Sequence, residues 1–139
     1  MKRLICIATA MSLLLLAGAL IPTSGAADGP ESVGKIMSKL HKGKKAPMAV
    51  LKTQLKSATP AWPEVQKEAG TYAKLSADLG KNDAPKGDAA SWKKLCKEYA
   101  DFAKKLEDSA KKEDLAGSKA AFSKIGGSCK ECHEKHREE

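Results

Sequence analysis

The chain has 139 residues, of which 42% are hydrophobic, 30% charged and only 4% aromatic. Its length allows one domain and excludes a large catalytic α/β fold. The composition has no run of polar low complexity, which also excludes the disordered and collagenous classes. Lys and Arg number 25 against 17 Asp and Glu, so the formal net charge is +8. The four cysteines are too few and too unevenly spaced for a disulfide scaffold.

The first 26 residues have the pattern of a secretory signal peptide. A positive start is followed by an apolar stretch and then by small residues; these are Lys2-Arg3, Leu4 to Ile21 and Ser24-Gly25-Ala26. The apolar stretch is just long enough to anchor an uncleaved chain in a bilayer, but Pro22 and the small residues favour cleavage. We therefore expect residues 27–139 to form a mature domain that is periplasmic or otherwise exported, without stable membrane insertion.

The mature chain keeps a positive balance of 23 basic and 17 acidic side chains, a net charge of +6. Its lysines are spread along the chain among carboxylates, and exported chains rarely meet nucleic acid, so nucleic-acid binding is not expected. The lysines form either a solvated helix surface or a docking face for acidic redox proteins, which would raise the encounter rate more than the affinity. A second copy of the chain, in a homodimer, is a further candidate partner.

Apolar residues recur at helical spacing in four stretches of the mature chain, and no alternating strand pattern occurs. The first predicted helix covers 33–55, with a kink or break near Gly43 and Pro47, and the second runs from near Thr59 to Leu79. A loop follows from Gly80 to Gly87. The third helix is capped by Asp88 and has a core face that includes Trp92, Cys96 and Tyr99, and the fourth runs from about Asp114 to Arg137. Four amphipathic helices with short connections predict an all-α fold, an antiparallel four-helix bundle.

The most informative segment is Cys129-Lys130-Glu131-Cys132-His133. C-x-x-C-H is the attachment signature of c-type haem. Residues at i, i+3 and i+4 share one helix face, so both thiols and the imidazole can meet one flat macrocycle. Cys129 and Cys132 are the expected thioether links to a single covalent haem c, and His133 is the expected axial ligand of its iron.

Three other interpretations use the same cysteines. A thioredoxin-like thiol pair would need a βαβ setting, which the sequence lacks. A zinc site could combine Cys96 with Cys129, Cys132 and His133, but these ligands would have to surround a point rather than face a plane. A disulfide between Cys129 and Cys132 would constrain little. Cys96 itself is expected to be a small buried hydrophobic residue.

The C-terminal residues resemble a known family. The stretch from Ile125 to Arg137, read as I-G-G-S-C-K-E-C-H-E-K-H-R, is similar to the end of the class II c-type cytochromes, the cytochrome c′ group. The resemblance implies a four-helix bundle with its haem near the C-terminus, and Gly126, Lys130 and Arg137 match the family pattern. It also implies that Arg137 lies beside the axial ligand or a haem propionate, with a solvated terminal charge as the alternative. His136 departs from the pattern, because the family usually has Phe or Tyr there.

The two consecutive glycines of this segment also require an explanation. Each glycine inside a helix costs about 0.5 to 1 kcal/mol relative to Ala. Gly126 and Gly127 therefore suggest the close approach of a large group such as a porphyrin edge, with a helix C-cap as the alternative.

The iron position opposite His133 decides the function that the resemblance implies. In the family this site faces the first helix, where Met gives a closed electron-transfer site and an apolar or aromatic residue leaves the iron open to small gases. Met37 is the corresponding candidate here, and His41 lies one turn later on the same face and would give bis-histidine ligation. Ordinary core packing of Met37 and a solvated His41 are the alternatives.

These residues together predict an exported monohaem c-type cytochrome that transfers single electrons and is not an enzyme. The first alternative is a five-coordinate haem protein that binds nitric oxide or carbon monoxide. The second, of a different class, is a small zinc or thiol protein.

Overall fold

The computed structural model describes residues 30–137, so the predicted signal peptide lies outside the described residues. Five α-helices follow one another: α1 Val33–His41, α2 Pro47–Gln54, α3 Trp62–Leu79, α4 Ala89–Lys111 and α5 Leu115–His136. This part of the chain contains no strand, and none of its helices is long and apolar enough to cross a membrane. The predicted all-α four-helix bundle is confirmed, with α1 and α2 together taking the place of the first helix.

The first predicted helix is divided at the point where the sequence indicated a kink or break. After α1 the chain turns through Gly43, whose φ of 96° lies in the region that favours glycine. Pro47 then lies in the first turn of α2. A backbone N–H at this position has no partner within the helix, so the lack of one in proline costs no hydrogen bond. The segment between α1 and α2 therefore changes the direction of the chain while keeping Ile36, Leu40 and Leu51 fully buried.

The three long helices form the body of the bundle. The helices α3 and α4 pack along each other, as do α4 and α5, and their short connections make neighbours run antiparallel. As predicted, Asp88 caps α4, accepting a hydrogen bond from the Ser91 backbone N–H at 2.7 Å. Asp114 caps α5 in the same way, accepting from Gly117 N–H at 2.9 Å. Both caps fix where a helix begins and therefore which residues it buries.

The end of α5 is fastened to the loop between α3 and α4 by His136. This residue is only 2% exposed, and its ring meets that of Trp92 edge-on at 5.4 Å between centroids. Its Nδ1 donates to the Lys86 carbonyl oxygen at 2.7 Å, and its Nε2 lies 3.1 Å from the Ser91 hydroxyl. The position where the family has an aromatic residue is thus a buried polar anchor here.

The loop approaches α5 closely enough to require glycine at position 87. Gly87 has a φ of 81°, and a Cβ atom there would lie 2.7 Å from the carbonyl oxygen of Lys135. Both the backbone conformation and the lack of space exclude a larger residue. Together with His136, this contact sets the position of the C-terminal turn of α5.

Replacing His136 by Ala is expected to lower the free energy of unfolding by about 2 to 3 kcal/mol, because two hydrogen bonds are lost and a cavity forms beside Trp92. Ser91→Ala is the graded control, which removes one of the two hydrogen bonds and should lower it by about 1 kcal/mol. Urea unfolding followed by circular dichroism measures both values. Equal losses in the two variants would show that the ring of His136 is not the main anchor.

Candidate functional site

An apolar cleft opens between α1, α4 and the C-terminal half of α5. The space between its walls is about 670 Å³, a figure that includes the part open to solvent. Its lining residues are Met37, His41, Leu79, Leu95, Cys96, Glu98, Tyr99, Ser128, Cys129, Glu131, Cys132 and His133. The cleft therefore brings together the cysteines and histidine of the C-x-x-C-H segment and both candidate residues of the first helix.

One wall of the cleft is the C-x-x-C-H segment itself. Cys129 and Cys132 are half-buried and His133 is exposed at the edge. Both cysteines are free thiols, so the predicted alternative of a disulfide between them is not formed. Burial raises the pKa of each thiol, so both are protonated at neutral pH. The segment presents two neutral thiols and an imidazole side by side on one helix face.

The facing wall is contributed by α1. Ile36 and Leu40 are fully buried and fix the rotation of this helix. Between them Met37 is half-buried and packs against the core, while it also lines the cleft. His41 ends the helix one turn later. The thioether of Met37 and the imidazole of His41 are thus both available on the side of the cleft that faces His133.

His41 is an exposed residue whose ring still contacts the core. Its Nε2 lies 3.3 Å from the hydroxyl of Tyr99, and its ring meets that of Tyr72 edge-on at 6.0 Å. Partial desolvation lowers the pKa of the His41 imidazole, and the charge of His133 lowers it further. The imidazole of His41 is therefore neutral at neutral pH, and His133 in the same cleft contributes to this.

The third wall comes from α4 and contains Cys96. This thiol is 2% exposed, and burial, followed by the influence of Cys132, raises its pKa to about 12. A thiol that is so buried and so weakly acidic is not reactive. The prediction that Cys96 is buried is confirmed.

The residues that flank the C-x-x-C-H segment are Arg137 on one side and the glycine pair Gly126 and Gly127 on the other. Arg137 is the exposed C-cap residue of α5 and is not among the cleft residues, so the structure does not bring it together with the others. The helix runs through Gly126 and Gly127 without ending, so the alternative of a C-cap there is wrong. A Cβ atom on either glycine would meet no other atom within 4 Å. This stretch of α5 therefore leaves open space beside its backbone.

Sequence reasoning missed the polar role of Tyr99 and Tyr72. The sequence predicts Tyr99 only as part of the core face of the third helix, and Tyr72 only as lying within the second. Their hydroxyls bond to each other inside the core, and Tyr99 also reaches His41. The available signal was that a buried tyrosine needs a hydrogen-bond partner for its hydroxyl.

The donor set of the cleft fits a haem better than a closed metal site. Two thiols at i and i+3 and an imidazole at i+4 face an apolar space that has a thioether on its far wall. Within residues 30–137, no group of three or more His, Cys, Asp or Glu side chains converges closely enough to hold a metal ion. The zinc site considered from the sequence is therefore not formed by the described residues.

The fold and the cleft together define a helical-bundle haem protein. The model of the family described as cytochrome C′ matches residues 41–137, which is more than half of the chain. The chain therefore belongs to the cytochrome c′ family, and haem is the cofactor that this membership implies. Met37 lies before the matched residues and His41 is the first of them. No curated protein and no solved structure matches the chain.

Proposed function

We propose that this member of the cytochrome c′ family is an exported monohaem c-type cytochrome that transfers single electrons and is not an enzyme. The observation that carries the proposal is the pairing of Met37 and His133 in one apolar cleft that also contains Cys129 and Cys132. The signal-peptide pattern of residues 1–26 supports export.

Each residue of the cleft has a definite task in this proposal. Cys129 and Cys132 would hold the porphyrin as thioethers, each S–H adding across one vinyl group so that its hydrogen goes to the neighbouring carbon. The imidazole of His133 would hold the iron. Haem supplies the one-electron couple between ferric and ferrous iron, and the apolar lining from Leu79 and Leu95 excludes water from it.

Met37 is the residue we propose on the other side of the iron. It lies on a helix whose rotation is fixed by buried neighbours, whereas Nε2 of His41 is already within hydrogen-bond distance of Tyr99. A thioether ligand raises the reduction potential. A closed site with two protein ligands also changes little in geometry between oxidation states, which favours electron transfer over gas binding.

The first experiment tests covalent attachment. Protein made in a host with haem-maturation machinery should weigh one haem more than its cleaved chain, and acid extraction should leave the pigment on the protein. The double variant Cys129→Ala/Cys132→Ala should lose this bound pigment, because no thioether can form. Mass spectrometry measures both.

Cys96→Ala is the matched control, since Cys96 is a thiol of the same cleft that takes no part in the proposed attachment. It should retain the full haem mass. Colourless protein with one bound zinc, or pigment that acid extracts from the unaltered chain, would contradict covalent haem.

The second experiment tests Met37 as the sixth ligand. The oxidised protein should be low-spin with a thioether-to-iron band in the far red, and the reduced protein should bind carbon monoxide slowly or not at all. Met37→Ala should remove the band and open the iron to carbon monoxide, because no thioether remains on that wall. Optical spectra of both oxidation states provide the measurement.

His41→Ala is the control on the same helix and should leave the spectrum nearly unchanged. If His41→Ala opens the site and Met37→Ala does not, His41 is the ligand. An unaltered protein that is high-spin and binds carbon monoxide readily would replace electron transfer by gas binding.

The third experiment concerns the partner, which we propose to be an acidic redox protein that docks at the cleft. Half of the lysines of α4 and α5 pair with carboxylates on their own helix, as Lys97 does with Asp101 at 2.7 Å. Lys94 forms no ion pair with the described residues, yet its charge reaches Glu131 at the cleft. Lys94 is therefore a free positive charge near the place where electrons would leave.

We expect the bimolecular rate of electron transfer with a small acidic redox protein to fall steeply as salt approaches about 0.15 M, where the Debye length is about 8 Å. Lys94→Gln should lower the rate at low salt and flatten this dependence. Lys67→Gln, on α3 and outside the cleft, is the control and should change neither. Stopped-flow kinetics measures the rates, and a rate indifferent to salt in all three proteins would exclude electrostatic docking.

A further inference from the structure

A chain of hydrogen bonds runs from the core of the bundle to the cleft. Tyr72 on α3 is fully buried and Tyr99 on α4 is 8% exposed. Their hydroxyls bond to each other, and their rings lie 5.9 Å apart at a tilt of 50°. The Tyr99 hydroxyl continues the chain to Nε2 of His41 at 3.3 Å. Three residues from three helices are thus linked through a single hydroxyl, that of Tyr99.

The direction of this chain follows from counting hydrogens. Each phenol has one hydrogen to donate, and an ordinary phenol pKa near 10, raised further here by burial, keeps it in place at neutral pH. The Tyr72 hydroxyl has no other partner among the described residues. If His41 donated to Tyr99 and Tyr99 to Tyr72, the hydrogen of Tyr72 would be buried without an acceptor, at a cost of about 1 to 3 kcal/mol. The opposite direction satisfies every hydrogen.

Tyr72 therefore donates to Tyr99, and Tyr99 donates to His41. The acceptor in the second bond is the lone pair of Nε2, which is the same lone pair that would bind iron. A nitrogen cannot use one lone pair for both at once. The hydroxyl of Tyr99 consequently competes with the iron for His41, whereas no hydrogen-bond donor among residues 30–137 engages the sulfur of Met37.

We propose that Tyr99 is a positioning residue that withholds His41 from the iron and so reserves the sixth coordination site for Met37. This inference rests on the proposed haem function but does not require that Met37 is bound in the unaltered protein. Tyr72 bonds only to the oxygen of Tyr99 among the described residues, so the bond from Tyr99 to His41 does not depend on it. The sequence makes Met37 the first candidate and His41 the alternative on the same helix face, and this hydrogen bond supports that order.

The test uses the haem-loaded Met37→Ala protein, in which the thioether cannot compete whatever its normal role. There we expect an open iron that binds carbon monoxide, because Tyr99 still holds His41. Adding Tyr99→Phe removes only the hydroxyl and frees Nε2. The protein should shift towards low-spin bis-histidine iron, and its carbon monoxide affinity should fall roughly fivefold, the equivalent of one lost hydrogen bond.

Two controls separate this effect from a general disturbance of the fold. Adding Tyr72→Phe instead leaves the bond from Tyr99 to His41 in place, so the spectrum and affinity should stay as in Met37→Ala. Adding His41→Ala to the Tyr99→Phe protein should restore the open site. If Met37→Ala with Tyr99→Phe remains high-spin and binds carbon monoxide as Met37→Ala does, the proposal is wrong.

A second measurement examines the unaltered holoprotein directly. In its reduced, diamagnetic form, with carbon monoxide added if the iron would otherwise be high-spin, nitrogen NMR reports which ring nitrogen of His41 bears hydrogen. Nε2 without hydrogen is the expected result, and Nε2–H would overturn the proposed direction. Because this reading holds with either Met37 or carbon monoxide on the iron, it is independent of the failure or success of the electron-transfer proposal.

Discussion

The rotation of α5 about its own axis is the constraint on which the site depends. Ile125 is fully buried one turn before Cys129, and His136 is buried at the end of the helix. With both anchors facing the core, helical geometry places Cys129 and Cys132 at the edge of the buried face and His133 just beyond it. A rotation by one residue would bury a charged side chain and turn the thiols away from the cleft. The loop contact at Lys86 is therefore part of how the site is built.

How far the sequence could predict the molecule depends on the range of the interactions involved. The cap at Asp88 and the spacing of apolar residues are local signals; α4 begins directly after Asp88 as predicted, and α5 begins at Leu115, next to the predicted start at about Asp114. The partners of His136 and Tyr99 lie 50 and 58 residues away along the chain. Such contacts arise only when the bundle is assembled, so His136 could be recognised as a departure from the family pattern but not as an anchor. For the same reason the sequence could rank Met37 before His41 only by resemblance to the family, without the hydrogen bond from Tyr99 to His41.

Several lysines are paired with carboxylates, so the local positive charge is smaller than the net charge of the chain suggests. Pairs such as Lys111 with Glu107 at 2.6 Å and Lys135 with Glu131 at 2.8 Å lie on single helices and are exposed to solvent. Each contributes little to stability, typically less than about 1 kcal/mol. Pairing of this kind fits the interpretation of these lysines as a solvated helix surface.

The two walls of the cleft are supported separately. One wall, α5, packs on α4, whereas α1 packs on α2 and α3. No comparable packing joins α1 to α5 in the described residues, and this lack of direct contact leaves room for a flat group between Met37 and His133. Each wall is nevertheless held firmly, α1 by fully buried Ile36 and Leu40 and α5 by His136. Under the proposed function, these separately anchored walls would keep Met37 and His133 at a fixed distance when the iron gains or loses an electron, which suits electron transfer.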